Sequence, residues 1–126
     1  MFLSRFLRSF KCAAAGIIYS LKTQRNMRIH FTAALLVLGL GYWLRIEARE
    51  WLLVFFAIAL VIAMELVNTA VETVVDLYVR DYLPGARIAK DVAAGAVLVA
   101  ALNSLAVAYI VFYPYLKDFF AGVGVP

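Results

Sequence analysis

Residues 51–76 read WLLVFFAIALVIAMELVNTAVETVVD. From Trp51 to Met64 the stretch carries no charge; beyond it come Glu65, Asn68, Glu72 and Asp76, spaced by three, four and four. At about 100° per residue these four fall on one face of a helix. A carboxylate in hydrocarbon costs at least ~2.5 kcal/mol on the mildest scale. Three acids on one face of an apolar helix therefore point to a site that binds cations or moves protons.

The rest of the chain agrees with a membrane setting. It has 126 residues, of which 66% are hydrophobic, and a mean hydropathy of +0.92. A soluble domain of this length cannot hide so much apolar surface. The expected fold is an all-α integral membrane protein, one unit over residues 1–126, without a Ser/Pro/Gly-rich linker, low-complexity tract or evident repeat. The formal charge is +4, and its placement matters more than its size. Arg5, Arg8, Lys11, Lys22, Arg25 and Arg28 precede the first spanning segment with no acid among them. Such a flank suits a cytoplasmic face and anionic headgroups. Nucleic-acid binding fits poorly, because these bases lie against lipid-length apolar runs without a recognisable binding module. The single Cys12 excludes an internal disulfide and a cysteine-built metal site, and reads as a small residue packed on a helix.

Residues 2–22 read as an amphipathic helix lying in the membrane interface. Leu3, Leu7, Phe10, Ala14, Ile17 and Leu21 form its apolar stripe, with Arg5, Arg8, Lys11 and Lys22 to one side. Arg8 and Lys11 interrupt any signal-peptide core. Spanning helices are expected at about 29–44, 51–79 and 91–113. Tyr42 and Trp43 anchor the far end of the first. The second, at ~43 Å, exceeds the ~30 Å hydrocarbon core and must tilt or project. Residues 81–90 are expected to form a polar loop turning at Pro84-Gly85, and Pro114 to end the last helix. Ala93, Ala96 and Ala100 suit close helix packing. Three crossings collect nine of the twelve Lys/Arg on the side of the N-terminus and the 80–90 loop. This bias predicts N-terminus inside and C-terminus outside. With Trp51 at the outer interface, Glu65 lies ~21 Å further along the axis, in the inner part of the bilayer. Glu72 and Asp76 then approach the cytoplasm, so the acidic face connects lipid-soluble and water-soluble reactants.

Each polar group has a chemical reading and a plainer one. A carboxylate desolvated by hydrocarbon holds a proton more tightly than one in water, so Glu65 suits a general base toward a lipid hydroxyl; a neutral, hydrogen-bonded structural acid is the alternative. Glu72 suits Mg²⁺, which shares one or two carboxylates with substrate phosphates, or an ion pair with a loop arginine. Asn68 offers a donor and an acceptor to either neighbour, or to another helix. Asp76 is placed to pair with Arg80, four residues on. Lys90-Asp91, at the expected start of the third span, suits phosphate at a helix N-terminus, or a helix-start acid beside a snorkelling lysine. His30 reads as an interfacial polar contact, and Asn103 and Ser104 as interhelical ones. No G-x-x-x-x-G-K-[ST] string and no protein-kinase signature set occurs.

ELVNTAVETVVD (65–76), followed after a short loop by AKDVAAGAVL (89–98), resembles the signature of the small prokaryotic membrane diacylglycerol kinases. The segments FKCAAAG (10–16) and LKTQRNMRIH (21–30) are similar to the branch typical of Gram-positive bacteria, many of which phosphorylate undecaprenol. The resemblance covers about residues 5–113. It implies a homotrimer in a bacterial cytoplasmic membrane, with active sites shared between subunits. It also implies transfer of the ATP γ-phosphoryl group to a lipid alcohol, with Mg²⁺. By motif position, it makes Glu65 the catalytic base, Asn68 an active-site polar group, Glu72 a metal ligand facing ATP, and Lys90 and Asp91 nucleotide contacts. Asp76 ends the signature with a less defined role. One position departs: the family usually carries an acid just before Arg-Asn-Met-Arg-Ile-His, as a metal ligand, and here it is Gln24. An amide oxygen can still coordinate a hard cation but brings no charge.

Two other classes compete. A small oligomeric proton or cation conductor would also use a carboxylate stripe, and would show flux without nucleotide. A catalytically weak relative acting as a membrane-assembly partner would form intact trimers without turnover.

Overall fold

The computed structural model describes residues 2–79 and 83–122. Among them are four helices and no strand: α1 (Phe2–Thr23), α2 (Arg25–Leu44), α3 (Ala48–Tyr78) and α4 (Pro84–Phe120). The last three are long and apolar enough to cross a membrane. The protein is an all-α, multi-pass membrane protein.

Local chemistry sets each helix end. Gln24, in extended geometry at φ −99°, ψ 122°, breaks the chain between α1 and α2. Arg45 closes α2 in the left-handed region at φ 53°. Its N–H donates to the Tyr42 carbonyl, and the Ile46 N–H donates to the Gly41 carbonyl. This is the paired closure that satisfies otherwise orphaned carbonyls at a helix end. Glu47 then starts α3 through a reciprocal box, its own N–H donating to Glu50 Oε2 at 2.8 Å.

α3 and α4 form the main packed pair, with α2 against α3 and α1 against α2 and α3. The densest packing lies near the α2–α3 turn, where Leu44, Ile46, Val54, Val111 and Phe112 are buried together. Tyr115 pins that end by donating to Glu50 Oε2 at 2.6 Å. The buried core is small, and Leu36, Phe56 and Ile110 are each well over half exposed. Lipid tails solvate such groups as well as a core would, so no hydrophobic force demands their burial within one chain.

Four expectations change. The expected third span of about 91–113 lies inside a longer helix of 37 residues. Pro84 is its first helical residue rather than a loop turn, because at N1 the missing N–H is one the helix leaves unpaired in any case. Pro114 lies within α4 and does not end it. In membrane helices, neighbouring groups and local adjustments accommodate a freed carbonyl. Finally, Cys12 is exposed on α1 rather than packed, since within one chain α1 buries little besides Ser20.

Candidate active site

The acidic face of α3 becomes progressively wetter along the helix. Glu65 is 1% exposed and Asn68 7%; Glu72 is half-buried and Asp76 exposed. The first two lie under the other helices, and the last two approach the α3–α4 connection.

Around Glu65 the polar contacts cross three helices. His30 of α2 brings Nε2 to 3.3 Å from Glu65 Oε1. The approach lies off the direction a hydrogen bond needs, so Glu65 Oε1 is buried without a hydrogen-bond partner among the described residues. One turn on, the Thr69 hydroxyl donates to the Glu65 carbonyl at 2.8 Å. Its proton is thereby committed, so the 3.1 Å contact with Ser20 Oγ is donated by Ser20. That bond ties α1 to α3 directly behind Glu65.

Asn68 donates through Nδ2 to Glu72 Oε1 at 3.1 Å. Because a carboxylate only accepts, the amide nitrogen must be the atom facing it. Asn68 Oδ1 is left buried and unpartnered among the described residues. The break at Gln24 matters here: it sets that side chain on the wall of a pocket of about 520 Å³, shared with Tyr19, Glu72, Thr73 and Asp76. Asp76 also lines a second pocket of about 710 Å³, with Arg87, Lys90 and Asp91. The two pockets adjoin across this one carboxylate.

Several site residues stand differently from expectation. Lys90 Nζ donates to Asp76 Oδ1 at 2.9 Å, so Asp76 is held by Lys90; Arg80, its expected partner, lies outside the described residues. Lys90 and Asp91 sit in the second turn of α4, beyond the unpaired N–H groups of its first turn. Of the two, only Lys90 carries a charge that attracts an anion, and it does so without help from a helix N-terminus. Asp91 makes an exposed pair with Arg87 at 3.7 Å, an arrangement worth little in water. Ser104 donates to the Ala101 carbonyl of its own helix, and Asn103 is exposed rather than interhelical within one chain.

Further along α3 toward the α2–α3 turn, a cleft of about 610 Å³ runs between α2, α3 and α4, lined by groups such as Ala34, Val37, Ile58, Val61 and Phe112. His30 and Ser104 are the polar groups on its wall. A buried carboxylate thus stands between an apolar cleft on one side and charged, wetter pockets on the other. That arrangement suits an apolar alcohol meeting a phosphorylated, water-soluble partner.

Residues 11–112 match the family described as prokaryotic diacylglycerol kinase. The chain belongs to this family. An undecaprenol kinase of Bacillus subtilis is 40% identical over 114 residues, covering 90% of this chain and 93% of its own length. A diacylglycerol kinase of Synechocystis is 45% identical over 102 residues, covering 80% of this chain and 58% of its own longer one. The protein is a membrane lipid kinase.

The reading from sequence missed His30 as a neighbour of Glu65 and Ser20–Thr69 as the tie to α1. An imidazole a turn and a half into an apolar helix was the available signal for the first. Nothing local signalled the second, because Ser20 and Thr69 are common helix-surface residues.

Proposed function

We propose that this kinase transfers the γ-phosphoryl group of ATP to the hydroxyl of a lipid alcohol, with Glu65 as general base. The observation that carries the proposal is Glu65 itself, a buried carboxylate with an oxygen that has no hydrogen-bond partner among the described residues. The lipid hydroxyl gives its proton to Glu65 as its oxygen attacks the γ-phosphorus, and ADP leaves. Phosphoryl transfer depends mostly on positioning and charge stabilisation. Asn68 orients Glu72 through their hydrogen bond. Lys90, released from Asp76 when phosphate arrives, balances charge on the transferring group, and Asp91 adds a polar contact to the nucleotide beside it.

The residues present fit Mg²⁺ that arrives with ATP. No group of three or more His, Cys, Asp or Glu able to hold a metal occurs among the described residues. Glu72 and Gln24 nevertheless share one pocket wall, and Mg²⁺ commonly takes one or two protein oxygens while phosphates and water supply the rest. Glu72 and Gln24 would hold it, and when bound it supplies neutralisation of the phosphate oxygens.

The acceptor is of the undecaprenol or diacylglycerol type, the two lipids for which the relatives are named. Both present a hydroxyl to the same base, so parallel turnover on the two lipids identifies the better substrate. The kinase works as a homotrimer with sites shared between subunits, in a bacterial cytoplasmic membrane, with its N-terminus inside. Clustering of basic residues on the N-terminal side supports the orientation. The decisive test uses radiolabelled ATP and purified protein in lipid. Glu65→Gln lowers kcat by about 10²–10⁴-fold while the protein stays folded; wild-type turnover in that variant would eliminate the mechanism.

A further inference from the structure

His30, the chain's one histidine, has no task in the phosphoryl transfer itself. Its position gives it a supporting one. Nε2 lies 3.3 Å from Glu65 Oε1, and the two side chains are 25% and 2% exposed respectively. Glu65 Oε1 is otherwise buried without a partner among the described residues, which burdens a carboxylate with uncompensated desolvation. His30 also lines the apolar cleft between α2, α3 and α4. It therefore stands between the space that suits a lipid chain and the buried acid.

We propose that His30 is a positioning residue for Glu65. An ionised carboxylate only accepts, so the ring must carry its hydrogen on Nε2 and donate it to Oε1. A small ring rotation aligns a contact already within reach, as catalytic hydrogen bonds tighten when substrate binds. With Oε1 held, Oε2 takes the proton of the lipid hydroxyl. The O–H bond breaks, the lipid oxygen bonds to the γ-phosphorus, and the bond to the ADP oxygen breaks. Glu65 returns its proton to water once the product leaves. The imidazole itself neither gains nor loses a proton. The inference rests on Glu65 being the base.

The experiment compares wild type, His30→Ala, His30→Gln and Glu65→Gln as purified full-length protein in lipid bilayers. kcat and the KM for ATP are measured, with oligomeric state and melting temperature as folding controls. In His30→Ala, kcat falls on the order of 100-fold, the scale of a mispositioned catalytic group, and the KM for ATP stays unchanged. His30→Gln keeps most of the rate, because its amide N–H reaches the same oxygen. Added imidazole restores part of the His30→Ala rate and none of the Glu65→Gln rate. Wild-type kcat in His30→Ala overturns the proposal. So does an equal loss in His30→Ala and His30→Gln without imidazole rescue, which marks the ring as packing alone. If His30→Ala fails to assemble, His30→Asn replaces it, since the shorter amide cannot reach and must lose what His30→Gln keeps. The two ideas fail separately: full turnover in Glu65→Gln removes the base and His30 with it, whereas an indifferent His30 beside an essential Glu65 removes this inference alone.

Discussion

Gln24 carries most of what distinguishes this site from an all-acidic one. It lies at the break between two helices and shares a pocket with Glu72, so its amide oxygen is placed where a carboxylate would add charge. Ligand charge count is a main lever on affinity for hard cations. Gln24→Glu should therefore lower the Mg²⁺ concentration for half-maximal activity by roughly tenfold at fixed ATP. A magnesium titration of both proteins, after EDTA treatment has abolished turnover, checks this. An unchanged midpoint would place Gln24 outside the metal's reach. Glu65, Asn68, Glu72 and Asp76 were legible as a set in the sequence, because a 100° repeat needs no tertiary information. The Asn68–Glu72 contact, four residues apart on that face, was legible with them; the partners on other helices were not. Whether Asp76 meets Arg80 or Lys90 depends on where a second helix begins, and that start was misjudged at Pro84.

The helices hold together through close approaches at the α2–α3 turn. Gly41 is the clearest: a Cβ there would come within 3.0 Å of the Trp51 ring and 3.1 Å of Ile46 Cδ1. Gly39, two residues away, meets nothing within 4 Å. Gly41→Val should cost ~1–3 kcal/mol by forcing α2 off α3 at the buried turn. Gly39→Ala should be neutral or gain up to ~1 kcal/mol through helix propensity. Unfolding in detergent by heat or SDS compares the two, and equal effects would show that Trp51 does not pack on Gly41. The same scale explains the misread end of the last span. A proline signals a stop for an isolated helix, yet α4 continues through Pro114 to Phe120, beside Tyr115 and Leu116, which pack on the core cluster. Packing won over local propensity.

Across the whole molecule, a single chain leaves too much unexplained surface for its chemistry. Leu36, Phe56 and Ile110 suit lipid, but Asn103 is exposed midway along α4. An amide facing hydrocarbon is expensive, whereas an amide between helices is common. Chemical cross-linking in native membranes should thus yield a species of three times the chain mass, and Asn103→Leu should change its yield. A strictly monomeric pattern would refute shared active sites.

Composition and periodicity alone determined the membrane class, the helical fold, the amphipathic first helix and the acidic face of the long span. These follow from transfer free energies and from the helical repeat, both of which act residue by residue. Only the tertiary structure decided that His30 meets Glu65, that Gln24 shares a wall with Glu72, and that Lys90 holds Asp76. Each of these pairs joins two helices, or a helix and the break before α2, and their meeting depends on how the helices rotate, where they begin and how closely they pack, which no local pattern encodes.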